Sequence, residues 1–214
     1  MEAVAVAPKL PETLDELEEG EMVRIPATWD EYLDLLEETP YTIQFLEDEI
    51  ILMSQATPKH ERLVIRLGKL FAIHFDELDE PFQVLGSNIK IVIPDQIGDF
   101  NADLSVVRGE PDYGPTSRGN ESTVRIQNPE IVVEILSQGT RKFDLDEKLT
   151  AYQSIPSLQH IVFVDQQTVS GSVYSRTDQP GQWLMTHRDK LTDSLPIGNF
   201  TLSLADVYRK ITLS

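Results

Sequence analysis

The run Ile131-Val-Val-Glu-Ile-Leu136 constrains this chain more than any other segment. Apolar residues on both alternating faces leave no side for solvent, so the run reads as a buried strand. Glu134 interrupts it. A lone carboxylate in such a strand costs several kcal/mol or more, roughly the penalty of an unpaired buried ion, so its usual compensation is a cation, a lysine or a metal ion. The chain offers both: Lys148 follows on a helical stretch, and Asp103 opens a second strand-like run, Leu104-Ser-Val-Val107.

The 214 residues suffice for one domain with a substantial core, and their 40% hydrophobic and 25% charged content is ordinary for a globular chain. No apolar run approaches the ~20 residues that span a bilayer. The start, Met-Glu-Ala-Val-Ala-Val-Ala-Pro, lacks the basic region of a signal peptide, so a cytoplasmic protein is expected. Without cysteine there are no disulfides, thiolate zinc sites or cysteine nucleophiles. The net charge of −18 opposes polyanion binding, but the charge is unevenly spread. Residues 1–49 hold 15 of the 36 acids against only Lys9 and Arg24. Most of the acidity therefore belongs to the N-terminal segment.

Residues 1–27, acidic and proline-containing, read as an arm, and residues 28–214 as a single domain. Thr28 caps a helix from Trp29 to Glu38. Tyr41–Phe45 and Glu49–Met53 form a hairpin about an acidic turn, and Pro58 opens a helix to about Leu78. Strands follow at Phe82–Leu85, Asn88–Ile93 and after Asp103. The polar stretch Gly109–Asn128 exceeds the usual length of a structureless loop and reads as a lid over substrate. Beyond the Glu134 strand come a helix from Asp144 to Ser154, a strand over Gln159–Val164, a hairpin of Val169–Ser175 with Trp183–His187, and a last helix over Leu204–Lys210. This order gives an α/β (α+β) class, a mixed β-sheet flanked by helices.

Asp103 and Glu134, on strands that can lie side by side, suit a hard cation such as Mg²⁺ or Mn²⁺, which takes one or two carboxylates plus waters and phosphate oxygens, although an Asp at a strand start and a Glu near a strand end are also common solvated or capping residues. Asp144, Lys148 and Tyr152, spaced i, i+4, i+8, share one helix face. A lysine there could orient an attacking water or steady transition-state charge, although the same spacing also describes an ordinary surface ion pair worth ~0.3–0.5 kcal/mol. His60, near a helix N-terminus, suits a phosphate contact, the support of a carboxylate, or a structural place. The basic residues Lys59, Arg62, Arg66, Lys69, Arg118, Arg125, Arg141 and Lys142 could meet phosphate, or simply coat solvated faces. Serine-triad, P-loop and dinucleotide motifs are missing.

Pro129-Glu-Ile-Val-Val-Glu-Ile-Leu-Ser137, with Thr140-Arg141, Asp144, Lys148, Tyr152 and Val164-Asp165 in order, resembles the Uma-type putative restriction endonuclease family of the PD-(D/E)xK nuclease superfamily. Pro58-Lys-His60 and Asp103-Leu-Ser-Val-Val107 fit the same pattern, and the likeness covers roughly residues 28–176. The resemblance implies a restriction-endonuclease-like core, metal-dependent hydrolysis of nucleic acid, DNA in preference, and a homodimer. It makes Asp103 and Glu134 the metal-binding acids. The lysine two positions after Glu134 is replaced by Leu136, and Lys148 from the following helix is its substitute. Ala102 stands where the family has Pro, Gln44 where it has a strand Glu, and Asp48 where it has a turn Gly. A non-catalytic binding or interaction module on the same fold is the competing expectation.

Overall fold

The computed structural model describes residues 8–18, 20–116 and 119–213. Its strands in chain order are β1 (Met22–Pro26), β2 (Gln44–Leu46), β3 (Glu49–Met53), β4 (Phe82–Gly86), β5 (Lys90–Val92), β6 (Gly98–Asn101), β7 (Leu104–Arg108), β8 (Tyr113–Pro115), β9 (Glu121–Ile126), β10 (Ile131–Leu136), β11 (His160–Asp165), β12 (Gly171–Arg176), β13 (Trp183–Arg188), β14 (Ser194–Ile197) and β15 (Phe200–Ser203). The mixed sheet expected from the sequence occurs twice. One sheet runs β1-β3-β2-β6-β5-β9-β8 and the other β13-β12-β11-β10-β7-β4, with β14-β15 a separate ribbon. β5–β9 and β10–β11 pair parallel, and the remaining pairs within the two large sheets are antiparallel.

β10 lies inside the six-stranded sheet, and all six of its residues are buried. Its two faces serve different cores. Ile131, Val133 and Ile135 pack with Leu63, Leu67, Phe71 and Phe75 of helix α2 (Pro58–Asp76). Val132 and Leu136 pack with Phe100, Phe143, Tyr152 and Phe163 on the other side, where the two sheets meet. Strand alternation therefore turns Glu134 towards that second side. The switch from one sheet to the other happens within Asn101–Leu104, between β6 and β7.

Helix α1 (Trp29–Glu38) begins as expected: Thr28 and Glu31 form a reciprocal capping box, and Tyr32 and Leu33 pack on the seven-stranded sheet. The β2–β3 hairpin turns through Glu47 and Asp48, with φ of 47° and 66°. Both occupy the left-handed region a two-residue hairpin requires, where Gly would cost less. Residues 22–26, which composition groups with the acidic arm, form β1 at the edge of that sheet, because Val23 and Ile25 pack against the α1 core.

The 109–128 stretch is not a lid. It forms β8 and β9 at the far edge of the seven-stranded sheet, and among the described residues none of it lines the cleft that Asp103 and Glu134 share. Its polar composition reflects an edge position with one solvated face, and it is anchored by Arg125, which is buried against Asp99. The helix expected from Asp144 starts earlier, spanning residues 141–153, with a π turn over Asp144–Lys148. Strand β6 and the β14–β15 ribbon carry no strong sequence signal, and the last helix is a single turn, Leu204–Val207. Among the described residues no helix is long and apolar enough to cross a membrane.

Candidate active site

A cleft of about 810 Å³ opens where the two sheets meet, and its walls include Gln44, His60, Asp103, Glu134, Asp144 and Lys148. β7 and β10 pair antiparallel with Leu104 opposite Val133, which sets Asp103 just beyond the last paired residues. There Asp103 Oδ2 accepts the Ile135 N–H at 2.7 Å and faces His60 Nε2 at 3.2 Å. The side chain therefore has a fixed direction. His60 is brought in by the first turn of α2, whose N-cap Thr57 accepts the His60 N–H.

Glu134 Oε1 accepts two hydrogen bonds, from Lys148 Nζ at 2.9 Å and from Tyr152 Oη at 2.7 Å. Lys148 Nζ also reaches the Asn101 carbonyl at 3.3 Å and lies 3.6 Å from Asp144 Oδ1. Asp144 is held in turn by Thr140, whose hydroxyl donates to Oδ2 at 2.7 Å. The Asp144–Lys148 pair is not the surface pair that spacing alone allows: the two side chains are 5% and 3% exposed. A π turn carries both, an irregularity found frequently at functional sites.

Three carboxylates thus surround one lysine. Burial raises the Glu134 carboxyl, Lys148 pulls against that shift, and Asp144 and Asp103 add to it. Asp144 is raised for the same first reason. Burial opposes the Lys148 charge, yet the attraction of Glu134 and Asp144 outweighs it and holds the amine above its usual value. His60 is likewise penalised by burial and raised overall by Asp103. Lys148, even with a protonated His60 beside it, does not balance three carboxylates, so the cluster favours an added proton or metal ion.

The candidate acids, Gln44, His60 and Lys148 all line this cleft, and Tyr152 touches it through Glu134. Gln44 Oε1 accepts the Asn101 N–H at 3.1 Å, and its Nε2 meets Met53 Sδ at 3.4 Å. The basic candidates divide: Arg62, Arg66 and Lys69 lie along α2, and others stand apart. Arg125 is buried on Asp99, Arg141 pairs with Asp165, and Arg118 lies outside the described residues. Asn101 and Thr140 join the site without having been expected from the sequence. Thr140 had a signal, since Ser137 and Thr140 form a turn-type pair before a helix, Ser137 Oγ accepting the Thr140 N–H at 3.1 Å. Asn101 acts through its carbonyl, which no sequence pattern marks.

Residues 29–205 match the sequence profile of the family described as Uma2, putative restriction endonuclease. Two proteins of Synechocystis are similar to the chain: uncharacterized protein sll1609, 28% identical over 73% of this chain and 84% of its own length, and uncharacterized protein slr1290, 29% identical over 82% and 87%. The fold matches the crystal structure of a putative nuclease belonging to DUF820 from Anabaena variabilis, with a TM-score of 0.66 and 16% identity over 86% of this chain and 98% of that one. The extent of the profile match, most of the chain including every strand of both large sheets from β2 onward, places the protein in the Uma2 family of putative restriction endonucleases.

Proposed function

We propose that the protein is a divalent-metal-dependent endonuclease that hydrolyses phosphodiester bonds of nucleic acid, DNA in preference, in the cytoplasm. One observation carries this reading: Asp103 and Glu134, at neighbouring strands, open onto the same cleft with a buried lysine on the second of them. Among the described residues no hydrogen bond occupies Glu134 Oε2 or Asp103 Oδ1, which leaves an oxygen of each for a hard cation. Among the described residues no group of three His, Cys, Asp or Glu stands at metal-binding geometry. Two carboxylates with waters and substrate oxygens is the donor set Mg²⁺ commonly uses, and Mn²⁺ fits it too.

When bound, the cation would lower the pKa of an attacking water and offset charge gathering on phosphorus. The chain's residues supply the orientation. The Ile135 N–H and His60 fix Asp103, and Tyr152 fixes Glu134. Lys148, aligned by Glu134, Asp144 and the Asn101 carbonyl, would hold the water or a phosphate oxygen by turning one ammonium proton away from these three partners. Gln44 contributes a neutral amide where the resemblance implies a further acid, and this favours the second reading, a binding module on the same fold. The homodimer implied by the resemblance has an open sheet edge in β13, where Leu184 and Met185 are exposed.

The test combines supercoiled plasmid, single-stranded DNA and RNA with Mg²⁺, Mn²⁺ or EDTA, beside Mn²⁺ calorimetry. Cleavage should require metal and disappear in Asp103→Asn, whose amide oxygen can still accept the Ile135 N–H and keep the fold. Wild-type protein that neither cleaves nor binds Mn²⁺ at millimolar concentration would leave the binding-module reading in its place.

A further inference from the structure

Helix α2 leaves the cleft carrying a row of cations. His60 and Glu61 in its first turn line the cleft. Arg62, Arg66 and Lys69 follow at i, i+4 and i+7, within one face of the helix. That face is joined to the C-terminal turn: Arg66 Nη2 donates to the Arg209 carbonyl at 3.2 Å and Arg62 Nη2 to the Lys210 carbonyl at 3.5 Å. The turn adds the exposed side chains of Arg209 and Lys210 to the same surface. It is also anchored to the cleft wall, because Tyr208 Oη donates to the Asp165 carbonyl at 2.7 Å and the next residues, Gln166 and Gln167, line the cleft.

The charge balance makes this face unusual. The chain holds 36 acids against 18 basic residues, so a cation has many acids available as partners. Among the described residues, none of these five forms an ion pair, whereas Arg24, Arg108, Arg125, Arg141 and Lys148 all do. Glu61 is the only acid between residues 59 and 75, and none occurs from 207 to 213. Five unpaired like charges on adjoining elements repel one another in the free protein, a cost that an extended polyanion reverses. From Arg62 to Lys69 the helix rises about 10 Å, enough to meet roughly three phosphates of one strand.

We propose that the Arg62–Arg66–Lys69 face of α2 and the Arg209–Lys210 turn form a phosphate-tracking surface that guides the backbone of a nucleic-acid strand into or out of the cleft. It rests on the nuclease reading for the nature of the strand. The −18 net charge then becomes part of the recognition, since it discourages polyanions elsewhere and leaves this face as a basic approach to the acids of the site.

Fluorescence anisotropy in EDTA, with labelled duplex DNA, single-stranded DNA and RNA of equal length, tests the surface without cleavage. The full-length chain carrying Arg62→Gln, Arg66→Gln, Lys69→Gln, Arg209→Gln and Lys210→Gln should bind at least ~10-fold more weakly. Its plot of log affinity against log salt should flatten by ~0.9 per lost duplex contact. Changing the three arginines to lysine should retain most of the salt slope, and Arg188→Gln with Lys190→Gln, outside this face, should leave it unchanged. An unaltered salt slope in the fivefold variant, or no binding by wild type, overturns the surface. If that variant binds and cleaves like wild type, the surface fails while the nuclease stands. If binding is lost in the variant but wild type never cleaves, the surface stands and the catalytic reading fails.

Discussion

Replacing Lys148 with methionine removes the cation while keeping most of the side-chain length. Lys148 Nζ lies 2.9 Å from Glu134 and 3.6 Å from Asp144, with each of the three side chains 5% exposed or less. Removing one partner of such a buried pair costs about 3–5 kcal/mol, because the remaining charge is left uncompensated. In a chain of this size that lowers the melting midpoint by roughly 6–20 °C. The loss should depend on pH. Burial already raises the Glu134 carboxyl above its unfolded value, and without Lys148 nothing nearby opposes the shift as strongly. A raised carboxyl binds its proton more readily when folded, so that stabilisation is present at low pH and lost as pH climbs through the folded value. Urea unfolding in EDTA should therefore show a small deficit for Lys148→Met at pH ~5 and a large one at pH ~8. Adding Glu134→Gln should recover much of the deficit at the higher pH, giving a coupling term in the double-mutant cycle. A single variant as stable as wild type at the higher pH, or a deficit unchanged between the two conditions, would refute the picture of one cation restraining an overcharged pocket.

Other parts of the fold respond in their own ways. Burial lowers the Lys90 amine to about 8, with Asp99 opposing the shift. A folded state that gives up its proton early gains stability as pH rises from about 8 to the unfolded value, so wild type should stabilise relative to Lys90→Met over that window in urea titrations. Gly139 packs against Gly20 so closely that a Cβ would collide with the Gly20 backbone. Gly139→Ala should cost about 1–3 kcal/mol by thermal unfolding, and it should weaken the site because the displaced loop carries Thr140, the hydroxyl partner of Asp144. An unchanged melting point would show that the N-terminal segment is free to move away.

The hairpin between the first two helices, both of those helices and the β10 strand are legible in the sequence because each rests on local physics: a capping box, a proline at a helix start, a stripe at helical spacing, a doubly buried run. The 109–128 segment misleads for a related reason. A short edge strand with one wet face has almost the composition of a loop, and its anchor, Arg125 on Asp99, joins residues 26 positions apart. β1 is hidden by the acids around it, and β6 by its four residues, too short for alternation to register.

By itself, the sequence placed a carboxylate inside the apolar run of β10 and pointed to a cation as its partner, because desolvation penalises a buried charge in any fold. It also placed Asp144, Lys148 and Tyr152 on one helix face. Only the tertiary structure decided that the face turns inward onto Glu134, that the crossing between the two sheets delivers Asp103 beside it, and that the backbone carbonyl of Asn101 completes the lysine's surroundings. The basic face along α2 belongs to the same category. Spacing along a helix is fixed by its period of about 3.6 residues, but the C-terminal turn joins that face through long-range packing that no local pattern encodes.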